Sequence, residues 1–174
     1  MIIGISGKIG SGKTEVSKYV SGRYGLRYIS TSEMLKSILI ANGQSIKREN
    51  LQKVGGDLIN AIGGRGFMCV LIQNLPNGDY VIDSIRHLEA LRYMRERYKE
   101  EFILIYVEAS SETRFSRKMG QFRDMEFFNK SEKESTEIEI ESIRKLADYV
   151  IGTEEPISAV SMRINELVDG IMKQ

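Results

Sequence analysis

The sequence predicts an α/β protein in which short parallel strands alternate with amphipathic helices. Strand-like runs recur along the chain, and segments with a helical spacing of apolar residues separate them. Several of these runs are apolar at consecutive positions, which is typical of strands that helices cover on both faces of a parallel sheet. The alternation therefore favours an α/β architecture with right-handed crossover connections.

The order of the predicted elements follows from these patterns. The strands are Ile2–Ser6, Tyr80–Asp83 and Phe102–Glu108, with weaker ones at Leu26–Ser30 and Asp148–Ile151. The helices, each with one apolar face, are Thr14–Tyr24, His87–Lys99 and Ile157–Met172. Residues 31–74 show no convincing strand and are interpreted as consecutive helices that form a lobe beside the sheet. The charged run 129–142 is interpreted as a solvated helix face.

Composition narrows the class of protein further. The 174 residues suit one domain, 1–174, and 41% hydrophobic with 28% charged residues is ordinary for a soluble chain. The 25 basic residues are nearly balanced by 24 acidic ones, which argues against a nucleic-acid partner. The single cysteine, Cys69, is compatible with a reducing compartment. The apolar runs are too short for a signal core or a membrane span, so we expect a cytoplasmic protein with no membrane partner.

The string GKIGSGKT matches the pattern G-x-x-x-x-G-K-[ST] at every required position. A predicted strand precedes it and a predicted helix follows it, which disfavours the alternative of a glycine-rich turn with an incidental lysine. Glycines let the backbone N–H groups wrap closely around phosphate oxygens, and the helix N-terminus adds positive charge. The lysine would hold the outer phosphates, and the threonine hydroxyl would ligate magnesium. The predicted triphosphate-binding residues are Gly7, Lys8, Ile9, Gly10, Ser11, Gly12, Lys13 and Thr14.

A second acidic group is expected near the metal. Asp83 ends the predicted strand YVID and should lie at the carboxyl edge of the sheet, where ligands of α/β proteins bind. A helix N-cap is the alternative role, and the two roles are compatible. Arg86 should open the next helix, where an arginine is unfavourable to the helix dipole unless it holds an anion. The alternative for Arg86 is a surface pair with Glu89.

A basic segment follows the fourth predicted strand. Arg114 and Arg117 should share one helix face, and Arg123 follows Gly120 in a stretch that suits a short mobile lid. Arginines placed there would stabilise charge on a transferring phosphoryl group, and a lid would exclude water. A solvated basic helix face is the alternative.

In these motifs the chain resembles the nucleoside-monophosphate kinase group of P-loop proteins, particularly dephospho-CoA kinases and viral-type deoxynucleoside-monophosphate kinases. The resemblance implies a P-loop three-layer sandwich with a five-stranded parallel sheet, a helical acceptor lobe near 31–75 and a lid near 117–128. It also implies Mg-ATP as the phosphoryl donor, and it implies that Arg117 and the loop 152–156, with Thr153, flank the adenine. Besides the phosphate loop, it rests on the segments Arg48–Leu58, Tyr80–Met94, Tyr106–Met119 and Leu146–Pro156.

Two departures from the family pattern bear on the substrates. Dephospho-CoA kinases usually carry an aspartate just after the second strand, to take a proton from the acceptor hydroxyl. This chain has Ser30, Thr31 and Ser32 there, with only Glu33 nearby. A phosphate acceptor is already anionic and needs cationic clamps instead of a base. The second departure is Thr153, where the family often has asparagine.

The favoured hypothesis is a kinase that moves the γ-phosphoryl group of ATP to a nucleoside or deoxynucleoside monophosphate, with dephospho-CoA as the alternative acceptor. The candidate catalytic residues are Lys13, Asp83, Arg86, Arg117 and Arg123, and the candidate metal ligands are Thr14 and Asp83. Arg48 and Arg65 are candidate second clamps for the acceptor. A P-loop GTPase or ATPase switch is a distant alternative, because the chain lacks the DxxG turn and the NKxD motif that base reading needs. A polynucleotide kinase is disfavoured by the balanced charge.

Overall fold

In the computed structural model, which describes residues 1–131 and 135–173, five strands form one parallel sheet in the order β2-β3-β1-β4-β5. Every neighbouring pair of these strands is parallel, as predicted. The order places β1 and β3 side by side, with Ile5 opposite Asp83, so that their carboxyl ends meet at one edge. The strands are β1 Ile2–Ser6, β2 Arg27–Ser30, β3 Tyr80–Asp83, β4 Phe102–Glu108 and β5 Tyr149–Gly152.

Helices follow every strand along the chain, and they cover both faces of the sheet. A short 3₁₀ turn at Lys99–Glu101 leads into β4. The α-helices of the described residues are α1 Lys13–Tyr24, α2 Thr31–Ala41, α3 Arg48–Ile72, α4 Leu88–Tyr98, α5 Ser111–Ser116, α6 Met125–Ser131, α7 Ser135–Lys145 and α8 Ile157–Met172. None of the helices within the described residues combines the length and apolar character that a membrane crossing requires.

Two hydrophobic clusters hold the three layers together. Ile3 and Ile5 of β1 pack with α1 and α8 on one face of the sheet. Ile2 of the same strand packs with α3, α4 and α7 on the other face. Successive side chains of a strand point to opposite faces, so a continuous apolar run serves both clusters. Full burial of each such isoleucine is worth about 1.5–3 kcal/mol.

Helix α3 is broken at Gly63, which the sequence did not reveal. Gly63 has a φ of 68°, and an added Cβ there would lie 2.8 Å from a carboxylate oxygen of Glu89. The same carboxylate accepts the backbone N–H of Gly64 at 2.8 Å, so Glu89 of α4 caps the second half of α3. The prediction of consecutive helices over 31–74 is confirmed, with this break as an addition.

Two predictions about the remaining helices need correction. Helix α4 begins at Leu88, so Arg86 lies in the preceding loop and does not open the helix. The run 129–142 is more than a solvated face, because Ile140 within it and Ile143 directly after it are completely buried in α7. Residues 132–134 of that run lie outside the described residues, and the side chains of 130–138 are not described.

Candidate active site

The predicted phosphate loop joins β1 to α1 at the carboxyl edge of the sheet. Gly7 has a φ of 145°, and a Cβ there would lie 2.1 Å from the carbonyl oxygen of Val107, so the close approach of the two backbones requires glycine. Helix α1 begins at Lys13 with Gly12 at its N-cap, where no side chain competes for the first amide groups. The loop therefore presents backbone N–H groups and a helix N-terminus at one place.

The lysine of the loop lies against the loop backbone. Lys13 is buried, and its Nζ donates to the carbonyl oxygen of Lys8 at 2.7 Å. Ser11 is also buried, and among the described residues its Oγ has no hydrogen-bond partner. A buried hydroxyl without a partner costs about 1–3 kcal/mol, so the loop is polar and incompletely satisfied.

The two candidate metal ligands lie together at the mouth of the loop. The hydroxyl of Thr14 donates to Oδ2 of Asp83 at 2.8 Å. The Asp83 carboxylate is only 3% exposed and accepts a second hydrogen bond on Oδ2, from the Tyr28 hydroxyl at 2.8 Å. Burial, and next the hydrogen bond to Asp83, raise the pKa of Tyr28 to about 12. The carboxylate therefore has two hydroxyl donors on one oxygen.

Sequence reasoning did not identify Tyr28. Its strand was predicted, but its contact with Asp83 depends on β2 lying beside β3, where Ser30 is opposite Asp83. Tyr28, two residues before Ser30, shares that side of β2 and reaches along the strand to the carboxylate. The order of the strands in the sheet would have indicated this contact, but the sequence patterns do not provide that order.

Arg117 and Thr153 contact each other beside the loop. The Arg117 guanidinium donates to the Thr153 hydroxyl at 3.3 Å, and its other terminal nitrogen contacts the carbonyl oxygen of Thr153. The buried Thr153 hydroxyl donates to the carbonyl oxygen of Ser11 at 2.6 Å. A surface cleft of about 640 Å³ adjoins this pair and is lined by Glu112, Thr113, Ser116, Arg117, Glu154 and Pro156.

Glu154 fixes the β5–α8 loop to the beginning of α5. Its carboxylate accepts the Thr113 hydroxyl at 2.6 Å and also contacts the backbone N–H of Ser110. These donors, the Thr113 hydroxyl above all, hold the pKa of Glu154 below its usual range. The carboxylate therefore stays ionised, and it keeps one wall of the cleft in place.

Arg114 supports the loop from behind. Its side chain is buried, and its guanidinium donates to the carbonyl oxygens of Ile9 at 3.2 Å and of Ala109 at 3.1 Å. The same group lies 5.4 Å from the ring centroid of Phe128. Arg117 is the C-cap of α5 and is exposed, but its guanidinium also reaches the loop, at 3.5 Å from the carbonyl oxygen of Gly10. The two arginines therefore face the same loop, as their predicted shared face implies. The solvated alternative is wrong for Arg114.

The other predicted arginines are placed differently. Arg86 lies half-buried in the β3–α4 loop, three residues beyond Asp83. Arg123 has a side chain that is 90% exposed and pairs with the adjacent Asp124 at 2.9 Å. Arg65 pairs with Glu96 in the third turn of α4 and is therefore engaged at a distance from the sheet edge. The side chain of Arg48 lies outside the described part of the chain.

Helix α7 contributes a carboxylate that the sequence did not suggest. Glu141 pairs with Lys8 of the phosphate loop at 2.5 Å. The hydrogen bond from Lys8 holds the pKa of Glu141 below its usual range. One turn later, Arg144 pairs with Glu108 at the end of β4 at 2.8 Å. The acidic residues of this run thus include one that contacts the loop directly.

Comparisons with solved structures show which known proteins share this fold. The chain resembles solved shikimate kinases from Aquifex aeolicus (17% identity, TM-score 0.63, covering 98% of this chain and 97% of that one) and Bacteroides thetaiotaomicron (13%, 0.60, 97% and 98%). It also resembles a gluconokinase from Sinorhizobium meliloti (13%, 0.61, 98% and 91%). No curated protein shows significant sequence similarity to the chain. At these identities the structural likeness shows the fold alone.

The family itself is shown by the sequence. The family model described as an AAA domain matches residues 6–146, which include the phosphate loop, Asp83 and the segment of Arg114 and Arg117. The prediction of a three-layer P-loop fold with a five-stranded parallel sheet is confirmed. The chain therefore belongs to the AAA domain family and has the fold of the P-loop kinases.

Proposed function

We propose that the protein is a kinase that transfers the γ-phosphoryl group of ATP to a small nucleotide-like acceptor, namely a nucleoside or deoxynucleoside monophosphate. One observation carries the proposal. The Thr14 hydroxyl and the Asp83 carboxylate lie 2.8 Å apart at the mouth of a glycine-rich loop that opens a helix. A phosphate cradle with an adjacent hydroxyl and carboxylate is the arrangement that phosphoryl transfer requires.

The residues present fit a nucleoside triphosphate. The backbone amides of Gly7–Thr14 would bind its phosphate oxygens, and the buried Ser11 hydroxyl would gain the partner that the described residues do not provide. Lys13 would exchange its bond to the Lys8 carbonyl for the outer phosphates. The cleft beside Arg117 and Thr153 would receive the base. These contacts account for donor binding with groups that are already in place.

The same site fits magnesium. Thr14 and Asp83 offer oxygen atoms, which magnesium prefers, and Thr14 would be the direct protein ligand. Among the described residues, no cluster of three or more acidic, histidine or cysteine side chains could hold a metal by itself. That donor set suits an ion bound through few protein groups together with substrate phosphates. When bound, magnesium neutralises charge on those phosphates.

The protein groups would act mainly by positioning and electrostatics. Lys13 would orient the donor, and Arg86 would clamp the acceptor phosphate in line with it. The segment 117–128 would act as a lid, with Arg117 and Arg123 stabilising the transferring group while water is excluded. We assign acceptor binding to the lobe 31–75, because α2 begins directly after β2 at the site edge of the sheet.

The second strand supports a phosphate acceptor over a hydroxyl acceptor. Ser30 caps α2 through the Glu33 backbone N–H at 3.3 Å, and the Thr31 hydroxyl donates to the backbone carbonyl of Asp83 at 3.4 Å. The nearest carboxylate of that segment, on Glu33, already pairs with Lys36 at 2.6 Å. This segment therefore offers hydroxyl groups and one exposed, paired carboxylate, which disfavours it as the source of a general base for an acceptor hydroxyl. A hydroxyl acceptor such as dephospho-CoA remains the second candidate, favoured by the fold that the chain shares with shikimate kinases and a gluconokinase.

A coupled ADP-release assay tests the proposal. Purified protein with Mg-ATP should turn over one or more nucleoside or deoxynucleoside monophosphates, and Lys13→Met should abolish that turnover. Lys18→Met, at an exposed position of α1, is the matched control and should retain it. Turnover of dephospho-CoA, shikimate or gluconate alone would overturn the assignment of a phosphate acceptor. Magnesium-dependent binding of ATP without transfer to any acceptor would overturn the kinase.

A further inference from the structure

We propose that Tyr28 is a positioning residue of the phosphoryl-transfer site, whose hydroxyl holds the Asp83 carboxylate in the orientation that binds Thr14 and magnesium. The inference deepens the proposed function and rests on it. It comes from a contact within the chain, the 2.8 Å hydrogen bond from Tyr28 to Asp83.

The geometry at Asp83 explains why a second donor matters. Thr14 and Tyr28 both donate to Oδ2, each at 2.8 Å, whereas Oδ1 accepts the hydroxyl of Ser84 at 3.2 Å. Without Tyr28, Oδ2 would keep only the bond from Thr14, and Oδ1 would keep the longer bond from the adjacent Ser84. Tyr28 adds a second short bond to Oδ2 from a different element, which restricts rotation of the group. Thr14 comes from α1 and Tyr28 comes from β2, so the carboxylate is held between two parts of the fold. Partners of this kind orient metal-binding groups and tune their affinity.

A phenol suits this role because it is a neutral donor. A lysine or arginine at the same place would neutralise Asp83 and weaken its attraction for a cation. Tyr28 instead leaves the negative charge on the carboxylate while it compensates for burial, since Asp83 is almost completely shielded from water.

The chain contains a close match to this contact far from the site. The Tyr24 hydroxyl donates to an Asp169 carboxylate oxygen at 2.8 Å, and the pKa of Tyr24 is also raised to about 12, first by burial. That pair joins the end of α1 to α8 and lies outside the phosphate loop. Tyr24→Phe therefore removes the same kind of hydrogen bond without touching Asp83, and it serves as the control for Tyr28→Phe.

The experiment measures binding of a non-hydrolysable ATP analogue by calorimetry, with and without magnesium, for wild type and both variants. We expect Tyr28→Phe to reduce the tightening by magnesium about tenfold, as loss of an orienting partner does at metal sites. Its affinity without magnesium should be unchanged, and Tyr24→Phe should behave as wild type in both conditions. In the kinase assay, Tyr28→Phe should lower kcat at subsaturating magnesium, with recovery at high magnesium.

Three outcomes are informative. Equal tightening by magnesium in Tyr28→Phe and wild type would overturn the inference, even if Tyr28→Phe lowers the melting temperature. Equal loss in both variants would also overturn it, because the effect would then follow from general destabilisation. A wild-type protein that binds no triphosphate would overturn the proposed function itself, which distinguishes that failure from a failure of Tyr28 alone.

Discussion

The hydroxyl oxygen of Thr14 lies 2.8 Å from Oδ2 of Asp83, although 69 positions separate the two residues in the chain. Parallel pairing of β1 with β3 produces this contact. The loop after β1 leads into the first turn of α1, which contains Thr14, and Asp83 ends β3 at the same edge of the sheet. The pair joins the phosphate loop to the strand that leads into the loop of Arg86. Substitutions on either side of it should therefore separate donor binding from acceptor binding.

The Asp83→Asn variant should fold normally but lose most of its phosphoryl-transfer activity. The amide oxygen of asparagine can still accept from Thr14 and Tyr28, but the negative charge is removed. We expect kcat to fall by about 100-fold, since charge stabilisation around a bound cation is worth several kcal/mol. The measurement is ADP release at saturating Mg-ATP. Asp169→Asn, at the partner of Tyr24, is the control and should retain full activity.

Arg86→Ala should weaken binding of the acceptor and leave binding of ATP unchanged. A clamp on the acceptor phosphate acts through KM of the acceptor or through kcat, while ATP binding depends on the loop. We expect kcat/KM for the monophosphate to fall by about 100-fold or more, as for loss of a charged hydrogen bond of about 3 kcal/mol. Steady-state kinetics and ATP calorimetry check this expectation. Arg92→Ala, on the exposed face of α4, is the control, and wild-type kinetics in Arg86→Ala would contradict the clamp.

Thr153→Val should disturb the nucleotide site through a lost hydroxyl. Valine has nearly the same shape but cannot donate to the carbonyl oxygen of Ser11 or accept from Arg117. We expect a loss of stability of about 1–3 kcal/mol and a higher KM for ATP, because a buried carbonyl is left without its partner. Thr153→Ser retains the hydroxyl and should stay close to wild type. Denaturant unfolding and ATP kinetics measure the two effects.

Arg114→Met should destabilise the protein, whereas Arg123→Met should not. Arg114 is buried and donates to two backbone carbonyls, one of them in the phosphate loop, while Arg123 is almost fully exposed. Methionine keeps the apolar volume but leaves those carbonyls without their donor, which costs about 1–3 kcal/mol or more. Thermal unfolding of both variants tests the difference. Equal melting temperatures would show that Arg114 does not support the loop.

The Lys8–Glu141 pair should make the stability of the fold depend on pH in the acidic range. Because the folded protein lowers the pKa of Glu141, the ionised carboxylate stabilises the fold above its ordinary pKa of 4.5, and that contribution is lost as pH falls through the lower, folded value. Wild type should be more stable than Glu141→Gln at pH 7, and the difference should shrink below pH 4.5. Melting temperatures of both proteins, measured from pH 7 to below pH 4.5, test this prediction. A difference that widens in acid would contradict the pairing.

Local patterns were sufficient to predict the strands and the phosphate loop. β1, β3 and β4 have the predicted bounds because each is a short apolar run that both faces of the sheet bury. The loop was recognisable because its glycines and its lysine are close in sequence. The burial of Arg114 was not, because it depends on contacts with Ile9 and Phe128, which lie elsewhere in the chain.

Contacts between distant segments account for what the sequence did not predict. Tyr28 approaches Asp83 only because β2 pairs with β3, and Glu141 approaches Lys8 only because Ile140 and Ile143 pack α7 into the core. Neither contact leaves a periodic signal in its own segment. The acidic run around Glu141 has the composition of a surface helix, and its buried isoleucines were the only sign of packing.

The break at Gly63 divides α3 into two parts with different freedom to vary. Met68 and Ile72, beyond the break, are buried beneath the sheet, whereas residues 51–62 are exposed or only partly buried. Substitutions in the first part of α3 therefore remove few interior contacts. Under the proposed role of this lobe in acceptor binding, substitutions at residues 51–62 should change acceptor preference while the structural framework around them stays unchanged.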